Sequence, residues 1–201
     1  NGILRSILRE GVRSTNDIKD PNERLAIETS HPQWLVDRWV ESYGYEETAE
    51  MLRENNIQPV QTVRVNTTKA TIENVLTTLE REGVKAVRSE VMPECVHLQT
   101  GQAARTAAFR HGLITIQDES SMLPANVLNP QPGMKVLDMC AAPGGKTTHM
   151  AEKMQNEGSI LAMDLPPKKL DLIEENTARL GLQIVQTAPA DRRTAASFLP
   201  P

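Results

Sequence analysis

Met134-Lys-Val-Leu-Asp138-Met-Cys-Ala-Ala-Pro143-Gly-Gly-Lys146-Thr-Thr-His-Met150 decides how this 201-residue chain is read. An apolar pair, Val136 and Leu137, runs into an acid, Asp138, then into small residues, then into a segment of helical composition. The pattern is a strand that feeds through a glycine turn into a helix. Such a turn offers a ligand its backbone N–H groups and the positive end of a helix dipole. Gly144 and Gly145 permit positive φ and let a ligand approach the main chain closely.

Spacing separates three readings of the loop. A dinucleotide fingerprint needs G-x-G-x-x-G, and these glycines are adjacent. A P-loop needs G-x-x-x-x-G-K-[ST]; Gly145, Lys146 and Thr147 fit its end, but Cys140 stands where its first glycine belongs. The third reading lays a nucleoside cofactor across the carboxyl ends of strands in an open α/β sheet. It requires an acid at the end of the next strand, to hold ribose hydroxyls. That strand is Ser159-Ile-Leu-Ala-Met163, and Asp164 ends it.

Working outward, the pattern is βαβαβ: strand 134–139, helix 146–155, strand 159–164, helix 167–180, strand 184–187. Pro130-Gln-Pro-Gly133 is a turn and marks the boundary to this region. Upstream, Gly112–Ile116 is a strand running into Gln117-Asp-Glu-Ser-Ser121, whose serines and acids suit the cap of a helix over 122–128. Val60–Val65 is a strand. Thr71 caps a helix in which Ile72, Val75, Leu76 and Leu79 fall at helical spacing, with Gly83 beyond its end. Short strands follow near 84–87 and 95–98, so 60–116 reads as a small α+β domain.

The first sixty residues are helical. Ile3, Leu4, Ile7 and Leu8 recur at helical spacing, and Ser14–Pro21 reads as a polar linker. His31-Pro32 opens a second helix with Trp34, Leu35, Trp39 and Val40 as its apolar stripe; both tryptophans are expected in the core. Glu46–Asn55 is a third helix with Ala49, Met51 and Leu52 inward. The resulting domains are 1–20, 21–129 and 130–201.

Net charge is −4, with seven basic and eleven acidic residues in 1–58 and fifteen of each in 59–201, which argues mildly against a large nucleic-acid footprint. Two cysteines, Cys95 and Cys140, make neither a disulfide framework nor a metal cluster by their spacing. No apolar run approaches membrane-spanning length and no secretory signal opens the chain, so the cytoplasm is the default. The start at Asn1-Gly2 without Met and the end at Phe198-Leu-Pro-Pro201 read as the edges of a fragment.

Asp138-Met-Cys-Ala-Ala-Pro-Gly-Gly-Lys146-Thr-Thr-His resembles the cofactor loop of RNA cytosine-5 methyltransferases of the Sun/Nop2 family. Gln117-Asp-Glu-Ser-Ser-Met122 is similar to the segment before that family's catalytic domain, and Arg64-Val-Asn-Thr67 matches its pre-catalytic domain. The first sixty residues look most like the bacterial 16S ribosomal RNA branch. The resemblance spans essentially the whole chain. It implies an α/β fold: the first half of a Rossmann-like methyltransferase domain (130–201), a small α+β RNA-binding region within 21–129, and the end of a NusB-like helical domain and linker (1–20).

It further implies S-adenosyl-L-methionine as cofactor, 16S ribosomal RNA as substrate and partner, and a monomeric intact enzyme. Cys140, Ala141, Ala142, Pro143, Gly144, Gly145 and Lys146 would pass beneath the cofactor. Asp164 would accept both ribose hydroxyls, and Asp191 the adenine amino group. Lys146 would approach the cofactor carboxylate or cap the loop. Arg64 is a candidate RNA contact, against an equal case for pairing with a neighbouring acid. After Asp164 the run Leu-Pro-Pro-Lys-Lys departs from the polar residues of relatives, which puts ribose contacts from those side chains in doubt.

C5 of cytosine becomes nucleophilic only after a thiolate adds at C6, and the family carries its two cysteines in later Pro-Cys and Thr-Cys motifs. Neither motif occurs here, so the nucleophile is expected beyond Pro201 and the chain alone should be inert. Cys140 is read as a small packing residue of the loop, and Cys95 as buried. Without later strands, the strand at 134–139 would become an exposed sheet edge. Two rival readings stand beside this one: a nucleotide-binding protein with a degenerate P-loop, and a non-enzymatic RNA-binding module.

Overall fold

The computed structural model describes residues 2–11, 14–165 and 167–189, and the chain divides into two compact units, 1–59 and 60–201. The first holds α1 (Gly2–Glu10), α2 (Pro21–Glu28), α3 (Gln33–Tyr43) and α4 (Tyr45–Asn55). Helix α2 occupies the end of the stretch expected to be linker and runs beyond it. Its start follows from local chemistry: Asp20 accepts from the Asn22 and Glu23 N–H groups, and Pro21 takes the first helical position, where its missing N–H costs nothing.

Leu25, Ala26, Val36, Ala49 and Leu52 form this unit's core, with Trp39, Val40 and Tyr45 packed against it. Trp34 corrects the expectation, because it is 65% exposed. Helical periodicity explains the difference. Val36, Trp39 and Val40 share one face at i, i+3 and i+4, while Trp34 lies two residues, about 200°, around from Val36.

In the second unit, β1 (Gln61–Val65), β2 (Ala86–Arg88), β3 (Cys95–Leu98) and β4 (Ile114–Ile116) form an antiparallel sheet in the order β2-β3-β1-β4. Helix α5 (Ile72–Arg81), capped by the Thr71 hydroxyl, covers one face. Period-two alternation sorts the residues. Val63, Val65, Val96, Leu98 and Ile114 join Ile72, Val75 and Leu79 in the core. Thr62, Arg64, Cys95, His97 and Thr115 therefore stand on the opposite face. A short helix, α6 (Ala107–Arg110), precedes β4, and α7 (Leu123–Leu128) follows it through a 3₁₀ turn at Ser120–Met122. No side chain caps α7 itself. Asp118 accepts from the Ser120 N–H within the approach to it, so the expected cap acts one turn early.

A parallel sheet, β5 (Lys135–Asp138), β6 (Ser159–Asp164) and β7 (Val185–Pro189), has the order β5-β6-β7, with α8 (Gly145–Lys153) and α9 (Pro167–Leu180) as its crossovers. Among the described strands β5 is thus an edge. The two sheets are bracketed together by the buried Asn66 and the half-buried Arg179. Asn66, just past β1, donates to the Gly112 and Leu180 carbonyls at 3.0 and 3.1 Å. Arg179 of α9 donates to the Phe109 and Ile114 carbonyls and lies 4.0 Å over the Phe109 ring. The approach is so close at Gly112 (φ +70°) that an added Cβ would stand 2.1 Å from the Arg179 carbonyl oxygen.

Candidate cofactor site

Strand β5 delivers Asp138 to the carboxyl edge of the parallel sheet, where the chain turns through residues 139–144 into α8. Asp138 spans that turn. It accepts from the Cys140 N–H at 3.4 Å and from the buried Thr147 hydroxyl, in the first turn of α8, at 2.7 Å. The loop is also stapled to the end of β6: the Ala141 N–H donates to the Met163 carbonyl at 2.9 Å and the Ala142 N–H to Asp164 at 3.0 Å. Pro143 follows a cis peptide bond, and its carbonyl accepts from Asn176 of α9 at 3.2 Å.

Gly144 is the N-cap of α8, with φ +98° and ψ 5°. A side chain there would need the left-handed region and would place its Cβ 3.4 Å from Ile173. No side chain caps the helix. The first-turn N–H groups of α8 thus keep their anion-binding character.

Asp164 ends β6 beside this loop. Its Oδ1 accepts from the Leu165 N–H at 2.8 Å and its Oδ2 from Ala142, while Lys169 Nζ lies 3.6 Å away. Burial works to raise the carboxyl, but the two N–H groups and Lys169 outweigh it and hold Asp164 below the usual carboxylate range. An ionised carboxylate has about four acceptor positions. Two serve the main chain, which leaves acceptors for a diol.

Arg64 supports the site from behind. From the face of the antiparallel sheet it donates to both oxygens of Glu152, to Thr148, to the Gly145 carbonyl at 2.8 Å and to Gln117. It is wholly buried. The RNA-contact reading of Arg64 is therefore corrected in favour of its alternative, an internal ion pair. Arg64 and Asn66, two residues apart, both leave the α5 core and clamp the parallel-sheet region, which gives the Arg64-Val-Asn-Thr67 motif an architectural meaning.

The structure thus brings together Cys140, Ala141, Ala142, Pro143, Gly144, Gly145, Lys146 and Asp164 at the carboxyl edge of β5 and β6. Asp191 lies outside the described residues. Lys146 and Cys140 are exposed, and for Cys140 this corrects the packing-residue expectation. Cys95 is buried, and burial together with Glu119 pushes its thiol up to about 12, so it remains a thiol. Thr147, Asn176 and Glu152 are not singled out by the sequence, and Asp138 and Gln117 stand in its motifs without a site role. Asp138 carried a signal, an acid closing a strand before a glycine loop; Glu152, in the middle of a polar helix, carried none.

The 16S rRNA methyltransferase RsmB/F family model matches residues 125–199, and the ferredoxin-like domain of RsmF/B-like methyltransferases matches residues 31–105. A probable ribosomal RNA small subunit methyltransferase B of Bacillus subtilis is 47% identical over 97% of the chain. The crystal structure of PH0851 superposes with a TM-score of 0.84 at 35% identity, over 94% of this chain and 42% of that one. A methyltransferase homologue from Pyrococcus horikoshii gives 0.78 at 30% identity, over 89% of this chain and 59% of that one. The chain spans less than half of the Bacillus relative, 44% of its length.

Proposed function

The chain belongs to the RsmB/F family of 16S rRNA methyltransferases, and on that premise we propose that it supplies the RNA-seating region and part of the S-adenosyl-L-methionine pocket of an enzyme that methylates cytosine C5 in 16S ribosomal RNA. The observation that carries this is the tie between the Asp138–Lys146 loop and Asp164. Main-chain donors and an ionised carboxylate meet at one sheet edge, as a charged amino-acid end and a ribose diol on one ligand require.

Bound there, S-adenosyl-L-methionine would supply an electrophilic methyl group. The chain's own residues bind and orient. The loop from Cys140 to Gly145 would offer backbone groups, Asp164 would accept from the ribose hydroxyls, and Lys146 would approach the carboxylate or cap the loop. Asp191, which lies outside the described residues, would accept from the adenine amino group. Residues 21–129 seat the RNA, and 130–201 form the N-terminal half of the cofactor domain. Neither cysteine serves as the nucleophile: Cys95 is a buried thiol, and Cys140 sits in the binding loop. The nucleophile belongs to the remainder of the enzyme, which works as a monomer in the cytoplasm; among the described residues no helix is long and apolar enough to cross a membrane.

The test is transfer of labelled methyl from S-adenosyl-L-methionine to 16S RNA by the complete gene product, with the product mapped as 5-methylcytosine. Label on C5, lost in Asp164→Ala, is expected. Label on a different atom, or on transfer RNA alone, would refute the substrate assignment.

A further inference from the structure

Cys95 and His97 alternate with Val96 on β3 and so share the sheet face turned away from α5. Glu119, from the segment after β4, reaches that same face. The Cys95 sulfur, a His97 ring nitrogen and a Glu119 carboxylate oxygen all lie within 4.8 Å of one another.

Proton bookkeeping makes the cluster unusual. The Thr62 hydroxyl has one proton and lies 3.2 Å from the Val60 carbonyl, which can only accept. Thr62 Oγ1 is then the acceptor for His97 Nδ1–H at 3.3 Å. That tautomer points the lone pair of Nε2 at Glu119 Oε2, 3.4 Å away. The other oxygen of Glu119 already accepts from the Ser89 hydroxyl, which fixes its orientation. A lone pair, a carboxylate oxygen and a sulfur converge; the thiol proton bonds Cys95 to Glu119, and a divalent cation in its place would bind all three.

We propose that Cys95, His97 and Glu119 are the protein ligands of a divalent transition-metal ion, zinc by the character of the donors, with a fourth position open to water. Thiolate, imidazole and carboxylate are zinc's ligand types. A tetrahedron with metal–ligand bonds of about 2.0–2.1 Å has edges of about 3.3 Å, which the His97–Glu119 separation matches. One thiolate and one carboxylate neutralise the ion, so the half-buried cluster carries no net charge. Glu119, which disfavours a bare thiolate, becomes a co-ligand once the cation is present. Thr62 and Ser89 form the outer shell that orients the ligands. The ion would pin β3 to the segment that carries Gln117, the residue that accepts from Arg64.

The test is titration of the chain carrying Cys140→Ser, in which Cys95 is the single thiol, with Co²⁺ followed by Zn²⁺. One equivalent should give a thiolate-to-cobalt charge-transfer band with the visible bands of a tetrahedral site, and zinc should bleach both. Cys95→Ser should abolish the charge-transfer band. His97→Gln and Glu119→Gln, at partly exposed positions, should each weaken binding about tenfold or more with circular dichroism unchanged. A folded protein without the band overturns the proposal. So does a band that survives both His97→Gln and Glu119→Gln, since a thiol alone then binds the metal.

Discussion

Arg64 and Glu152, 88 residues apart in sequence, form a two-pronged ion pair at 2.8 and 2.9 Å inside the second unit, with the Arg64 side chain wholly buried and that of Glu152 nearly so. Burial pushes the Glu152 carboxyl up, and Arg64 opposes that push. Removing one partner strands the other charge in a medium that cannot solvate it. Glu152→Leu is expected to destabilise the chain by about 3–5 kcal/mol, read from the urea midpoint. The double variant Arg64→Met/Glu152→Leu should recover much of that loss. A single variant within about 0.5 kcal/mol of the parent, the range of ordinary surface changes, would show that the pair is not buried as described.

Gly144 and Gly145 are adjacent but not equivalent. Gly144 has φ +98° and a potential Cβ 3.4 Å from Ile173, whereas a Cβ at Gly145 would meet Gln117 at 3.7 Å, an ordinary contact. Gly144→Ala should cost about 1–2 kcal/mol and weaken cofactor binding by the complete gene product. Gly145→Ala should leave stability nearly unchanged. Equal effects in thermal unfolding would contradict the loop conformation.

His149 gives the chain an acid sensitivity. Burial holds its ring below the usual imidazole range, against the opposing pull of Glu94 at 2.9 Å. Neutral, it donates Nε2–H to Glu94, and among the described residues its Nδ1 has no hydrogen-bond partner. A group with a depressed folded pKa contributes stability above its unfolded value, here 6.5, and loses it as pH falls through the folded value. Urea midpoints in a chelator-treated sample should therefore drop as pH falls below 6.5. His149→Gln, which keeps a donor for Glu94 without a titrating ring, should flatten that limb. An unchanged slope would assign the sensitivity to other groups.

Much of the fold was legible because its signals are local. The βαβαβ pattern, the Thr71 cap and the 95–98 strand rest on residues within a turn or a period of one another, and the structure places them within a residue or two of expectation. Helix α6, four residues long, is too short to show a period. Helix α2 was hidden by its polarity, although Asp20-Pro21 carried its start signal. The loop and Asp164 were legible as neighbours in a strand–turn–helix logic. Arg64 was not, since one-strand alternation gives its face but not the helix that meets it. Counting cysteines likewise argued against a metal cluster, while His97 and Glu119 approach Cys95 only through the sheet and the segment beyond β4.

Calorimetric titration of S-adenosylhomocysteine into the complete gene product, beside its Asp164→Ala variant, is the most direct measurement of the cofactor assignment. Binding should be saturable and weaken about 10–100-fold in the variant, as expected for the loss of a charged hydrogen-bond acceptor worth about 1.5–3 kcal/mol. No binding by the unsubstituted protein, with magnesium-ATP bound instead through Lys146, would contradict the methyltransferase pocket and favour the degenerate P-loop.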